Sequence, residues 1–167
     1  MKVLVIGAGN MGLTYAEGMS KSRLLKKKNI MDKSEEKLEA LNQISHFDAF
    51  KALDDCVPNA DIIFVAVKPY HAEGVFKAIR TLVKPQQIII SIMAGVTIAS
   101  IKGITGLEKV VRAMPNLPAQ IGKGLTSYVT SKEVSRIEML TVESLLDTTG
   151  KSMQVSDEKL IDASTGI

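Results

Sequence analysis

The six residues Gly7-Ala8-Gly9-Asn10-Met11-Gly12 match the pattern GxGxxG, and they fall directly after an apolar run, Lys2 to Ile6, and at the start of an amphipathic stretch. In that context Gly7 permits a tight turn, Gly9 leaves room for backbone to approach a pyrophosphate, and Gly12 lets helix and strand pack closely. The free N–H groups at the helix start, with the helix dipole behind them, then hold the phosphates. The chemistry implied is the binding of a dinucleotide such as NADH or NADPH.

Asp32 lies 20 residues beyond Gly12, at the carboxyl end of a second strand. A carboxylate there accepts hydrogen bonds from the adenosine ribose and repels a 2′-phosphate, which leans towards NAD(H). Lys33 and Ser34 come next and offer the opposite, a charge-assisted bond and a hydroxyl for a phosphate. A third reading has all three residues turning the chain and capping the next helix. Ala66-Val67-Lys68-Pro69 closes the most apolar strand, and Pro69 biases Lys68 towards extended backbone. That tetrapeptide either presents Lys68 to a cofactor ribose or is a plain strand-ending loop. Ser91-Ile92-Met93-Ala94-Gly95-Val96 ends the next strand with small residues, which suits a flat nicotinamide ring or a tight strand-to-helix turn.

Other chemistries find little support. Lys26-Lys27-Lys28 precedes the second strand, at the wrong end of a sheet for a ligand, and reads as a solvated surface run. His46 and His71 belong to different elements and read as surface or loop histidines; Cys56 is the one cysteine, and no metal-ligand spacing occurs, so no metal site is expected. No GxSxG elbow is present for hydrolase chemistry. Met93, Met114 and the other methionines read as core filler. No residue declares itself as catalytic.

These residues must be positioned by an alternation of short β-branched runs with amphipathic stretches, the pattern of repeated βαβ units. Strands are expected at Lys2 to Ile6, Lys28 to Met31, Ile62 to Val67, Gln87 to Ile92, from Val110 into Met114, at Leu125 to Val129 and at Ser152 to Val155. Helices are expected over 11–20, 34–41, 71–82, 97–103 and 132–147, with another starting at Asp157. The stretch before Asp61 carries no regular pattern. The fold expected is α/β, a Rossmann-type doubly wound, mostly parallel sheet with helices on both faces.

With 167 residues, 46% hydrophobic and 23% charged, the chain has the composition of one ordinary globular domain. Its +3 formal charge is too small an imbalance to nominate a nucleic acid. No apolar run approaches the ~20 residues of a membrane span, and the start lacks a secretory signal, so a cytoplasmic location is expected.

Three segments together resemble pyrroline-5-carboxylate reductase, which reduces the C=N bond of a cyclic imine to give proline. They are GAGNMG at 7–12, AVKP at 66–69, and SIMAGV at 91–96 followed by RAMPNLPA at 112–119. The resemblance implies phosphate contacts at Gly9, Asn10 and Met11, cofactor contacts at Ala66 to Pro69, and a nicotinamide neighbourhood at Ala94, Gly95 and Asn116. It also implies a small imine substrate, with no nucleic-acid or membrane partner. Leu117 departs from the family pattern, where a threonine is usual. Members continue past the segment matching Asp162 to Ile167 into a helical domain that dimerises and holds most substrate contacts. The chain is therefore expected to be the cofactor-binding part: a dinucleotide domain over 1–156, then 157–167 leading to that further domain, with homo-oligomers expected only when it is present. The rival readings are a non-catalytic NAD(P)-binding sensor or docking module, and a hydroxyacid-type dehydrogenase.

Overall fold

Strands that are apolar on both faces need cover on both faces, and the sheet is built accordingly. In the computed structural model, which describes residues 1–43 and 46–164, the strands are β1 (Lys2–Ile6), β2 (Lys27–Met31), β3 (Asp48–Phe50), β4 (Ile62–Val65), β5 (Ile88–Ser91), β6 (Val110–Met114), β7 (Gly124–Thr130) and β8 (Gly150–Gln154). They form one sheet in the order β3-β2-β1-β4-β5-β6-β7-β8. The first six run parallel, β7 is antiparallel to β6, and β8 is parallel to β7. The order 3-2-1-4-5-6 is that of the doubly wound dinucleotide-binding folds, so the expected fold class is the one observed, extended by two further strands.

The helices are α1 (Asn10–Met19), α2 (Glu35–Glu39), α3 (Ala72–Ile79), α4 (Ile98–Thr105), α5 (Arg136–Leu146) and α6 (Glu158–Ser164). On one face, Val3, Val5, Phe64 and Ile90 pack with Tyr15 and Met19 of α1 and Val142 and Leu145 of α5. On the other, Leu4, Ile63, Val65 and Ile89 pack with Phe76 and Ile79 of α3 and Ile101 of α4. Alternate residues of each strand supply the two cores, which is why the runs read as continuous rather than alternating. Among the described residues, no helix is long and apolar enough to cross a membrane.

Several boundaries differ from expectation for local reasons. The 34–41 helix is shortened to α2, with Ser34 outside it as the cap, and passes into a 3-10 turn at Ala40–Gln43. The 132–147 helix starts only at Arg136, where Ser135 and Glu138 form a reciprocal capping box. Strand β3 went unread because an edge strand of three residues, with Asp48 and Ala49 exposed, carries no period. The helix expected from Asp157 is α6, packed against β6 and β7; Thr165, Gly166 and Ile167 of the expected 157–167 segment lie outside the described residues.

Lys28 corrects the reading of 26–28 as a solvated run. It is buried in β2, and its Nζ donates to the Ser20 carbonyl at 2.5 Å. A lysine at a strand position facing the end of α1 satisfies an orphan helix carbonyl.

Cys56 is buried, with its thiol against the carbonyls of Ala52 and Leu53. Burial pushes the thiol up to about 11. The thiolate is the reactive form, so native protein at pH 8 should resist iodoacetamide while denatured protein takes up one equivalent; rapid native labelling would contradict this burial.

Candidate functional site

The carboxyl ends of β1, β4, β5 and β6 meet at one edge of the sheet. The chain departs from β1 to β2 on one side, whereas β4 lies on the other, so the edge between β1 and β4 is the switch point where open α/β sheets bind ligands. The glycine turn stands there. Gly7 has φ +104° and donates its N–H to the Met31 carbonyl at 2.8 Å. A Cβ on Gly7 would lie 2.8 Å from the Ala66 carbonyl oxygen, and one on Gly12 would lie 1.8 Å from the Gly7 carbonyl oxygen. Gly9 caps α1 with no side-chain hydrogen bond, and a Cβ there would have nothing within 4 Å. Two glycines thus close the turn against the sheet, and the third leaves space in front of the helix start.

Asp32 fastens this turn to the end of β2. Its Oδ2 accepts from the Ala8 N–H and its Oδ1 from the Ser34 N–H, each at 2.8 Å. Ser34 caps α2, its Oγ accepting from the Lys37 N–H at 3.4 Å. Lys68 has the extended backbone that Pro69 favours (φ −62°, ψ 142°) and leads into a 3-10 turn at Pro69–His71.

A cleft of about 780 Å³ opens over this edge. Of the residues expected from sequence, Gly7, Gly9, Asn10, Met11, Asp32, Lys33, Ala66, Val67, Lys68, Pro69 and Ala94 line it. Ala8, Gly12, Ser34, Gly95 and Asn116 stand outside the lining. Ala8 and Gly12 are buried beneath the turn, Gly95 is exposed beyond Ala94, and the Asn116 Oδ1 accepts from the Leu125 N–H at 3.0 Å. The departure at Leu117 concerns a side chain outside the described ones.

The wall also includes residues that sequence reading missed. Lys37 lies within α2, three positions after its cap Ser34, and nothing in the sequence pattern singled it out. Leu53 comes from the stretch without a period. Tyr70 and His71, with ring centroids 4.3 Å apart, continue the Lys68-Pro69 loop into the cleft. Met93 and Met114, read as core filler, reach the cleft as well, although Met93 is also buried. The charged residues of the lining are Lys33, Lys37 and Lys68 against the single carboxylate of Asp32. That carboxylate already accepts two backbone N–H groups, so the cleft presents cations and main-chain amides, a setting for an anion.

Residues 2–95 match the family described as NADP oxidoreductase, coenzyme F420-dependent. The chain is similar to the pyrroline-5-carboxylate reductase of Aquifex aeolicus, at 36% identity over 172 residues, covering 100% of this chain and 62% of the relative. It is also similar to the solved 1-pyrroline-5-carboxylate reductase of Streptococcus pyogenes, at a TM-score of 0.86 and 27% identity, covering 99% of this chain and 61% of that one. The pyrroline-5-carboxylate reductase structure from Coxiella burnetii shares the fold at a TM-score of 0.91 and 24% identity, over 99% of this chain and 62% of that one. The chain therefore spans less than two thirds of the length of these relatives.

Proposed function

Since the chain belongs to the NADP oxidoreductase, coenzyme F420-dependent, family, we propose that it is the cofactor-binding part of a pyrroline-5-carboxylate reductase that uses NADPH in preference to NADH. The observation that carries this reading is the glycine turn at the switch point, with open space at Gly9 and lysines around the cleft. The residues fit a dinucleotide. Gly9, Asn10 and Met11 offer main-chain amides to the pyrophosphate; Lys33 and Lys37 face the adenosine end, and Ala66 to Pro69 the ribose. The nicotinamide would lie against Ala94, Met93 and Met114 of the lining, with Gly95 and Asn116 following closely in the chain. When bound, the cofactor supplies the hydride that reduces the imine carbon.

This chain's own contribution is to bind, orient and shield. Asp32 holds the glycine turn in place through Ala8 and, with Ser34, sets the start of α2, from which Lys37 projects. Lys33 and Lys37 can meet a 2′-phosphate with two ammonium groups, which outweighs the lean towards NAD(H) suggested by Asp32 alone. The small imine substrate and any homo-oligomer belong to the enzyme as a whole. The setting proposed is cytoplasmic, where a lone buried thiol stays reduced.

Two measurements test the reading. NADPH should bind about tenfold more tightly than NADH, and Lys37→Ala should remove most of that difference while leaving NADH affinity unchanged, the loss of one charge-assisted contact. Equal affinities for the two cofactors in the wild-type chain would contradict the preference. Fusing residues 1–167 to the remaining length of the Aquifex aeolicus relative should give NADPH-dependent proline formation with no reduction of 2-keto acids. A chimera that is folded and binds NADPH yet reduces only keto acids would favour the dehydrogenase reading, and one with no turnover would favour a non-catalytic module.

A further inference from the structure

Arg112 is fully buried in β6, two residues before Met114 reaches the cleft. Its Nη1 donates to Glu158 Oε1 at 3.1 Å and its Nη2 to Asp162 Oδ1 at 2.5 Å, whereas its buried Nε has no hydrogen-bond partner among the described residues. Both carboxylates come from α6. The same Glu158 oxygen also accepts from the Ile98 N–H at 2.8 Å. Ile98 is the first residue of α4, four positions after Ala94, and a helix start has several N–H groups with no partner inside the helix. Thr97 satisfies another of them through Ser100.

One carboxylate oxygen of α6 thus ties the start of α4 to β6. The turn from β5 to α4 carries Ala94, and Met114 ends β6 with Pro115 after it; in the strand order these lie on the other side of the cleft from Lys33 and Lys37, which follow β2. Within β6 and β5, Arg112 lies beside Ser91 in register, so the two segments leave neighbouring strands at the same level. Pairing between β5 and β6 ends there, while β6 stays paired with β7 as far as Met114. Past the last paired residue of β5, the Ile98–Glu158–Arg112 bridge ties the start of α4 to β6 by a directional contact.

We infer that Glu158 is a positioning residue for the nicotinamide end of the cleft, holding the Ala94 turn and the Met114-Pro115 segment at the spacing a flat ring requires. The inference rests on the dinucleotide reading given above. It assigns to α6 a function beyond packing: besides burying Ile161, the helix is linked to the cleft wall through a charged, directional contact. Glu158 lies outside the cleft lining, and so acts through Ile98 and Arg112.

The test separates the two ends of the cofactor. NADPH and 2′-phospho-ADP-ribose, which lacks the nicotinamide, are titrated against the wild-type chain, Glu158→Ala and Glu158→Gln, with the emission of bound NADPH as a second signal. Glu158→Ala should leave the affinity for 2′-phospho-ADP-ribose within about twofold of wild type, while the advantage of NADPH over it falls at least about fivefold and the emission of bound NADPH approaches that of free NADPH. Glu158→Gln retains an acceptor for the Ile98 N–H and should recover part of the advantage; it also serves if Glu158→Ala fails to fold. A role confined to stability would lower both affinities together or neither, and either result overturns the inference. Wild-type protein that binds neither nucleotide would instead remove the dinucleotide reading, and this inference with it.

Discussion

Replacing Gly12 by alanine should destabilise the protein by more than about 3 kcal/mol, above the usual range for an overpacked core. The added Cβ would meet the Gly7 carbonyl oxygen at 1.8 Å, and that oxygen belongs to a turn already pressed against Ala66. No side-chain rotation relieves a clash with backbone, so α1 must move off β1. For a chain of this length the melting temperature should fall by ~10 °C. Gly9→Ala should behave oppositely. Its backbone is extended and its Cβ has open space, so stability should stay within about 1 kcal/mol, the range for an N-cap exchange. Yet the new methyl group fills the approach to the first amides of α1, and NADPH affinity should drop about a hundredfold, or about 2.7 kcal/mol. Thermal melts and titrations of both variants check this pair. A Gly9→Ala protein with wild-type affinity would mean that the phosphates lie elsewhere.

The second large effect concerns the buried guanidinium. Glu158→Ala with Asp162→Ala removes both carboxylates seen on Arg112, whose Nε has no hydrogen-bond partner among the described residues. Stranding a buried charge costs about 3–5 kcal/mol, read as a loss of unfolding free energy in urea. Adding Arg112→Met to the double variant removes the stranded charge and substitutes an unbranched apolar side chain. Because a packed apolar residue often replaces a buried ion pair at little cost, the triple variant should regain most of the lost stability. If the triple variant is no more stable than the double one, the loss arises from the packing of α6 and not from the charge. Glu158→Ala alone should cost less, since Asp162 still faces the guanidinium, and the protein should remain folded for the nucleotide titrations described above.

Much of this was legible before any coordinates. The strand–turn–helix context of Gly7 to Gly12 located the turn, because each glycine there answers a separate steric demand. The apolar runs at 62–67 and 87–92 read correctly as strands, now β4 and β5, because cover on both faces leaves no polar alternation to misread. What the sequence hid falls into two kinds. Strand β3 and Leu53 belong to a short edge region where exposure erases the period. The partners of Asp32 and Arg112 were hidden for another reason. An acidic residue after β2 suits a ribose hydroxyl and a backbone amide equally, and only the approach of Ala8 and Ser34 decides which it meets first. Arg112 stood within a segment recognised by resemblance, but its partners lie 46 and 50 positions away on α6, and no local spacing announces such a pair. Lys28 was misread because a lysine run is usually solvated, whereas the strand register turned this one towards the end of α1.

The central claim is that main-chain amides at the start of α1 grip a pyrophosphate. It is tested most directly by calorimetric titration of the folded 167-residue chain with NADPH, accompanied by a thermal melt at saturating ligand. The expected result is a single site, tighter for NADPH than for NADH, with a raised melting temperature, since a ligand that binds only the native state stabilises it. Folded protein that yields neither heat nor a melting shift with either nucleotide would contradict the claim.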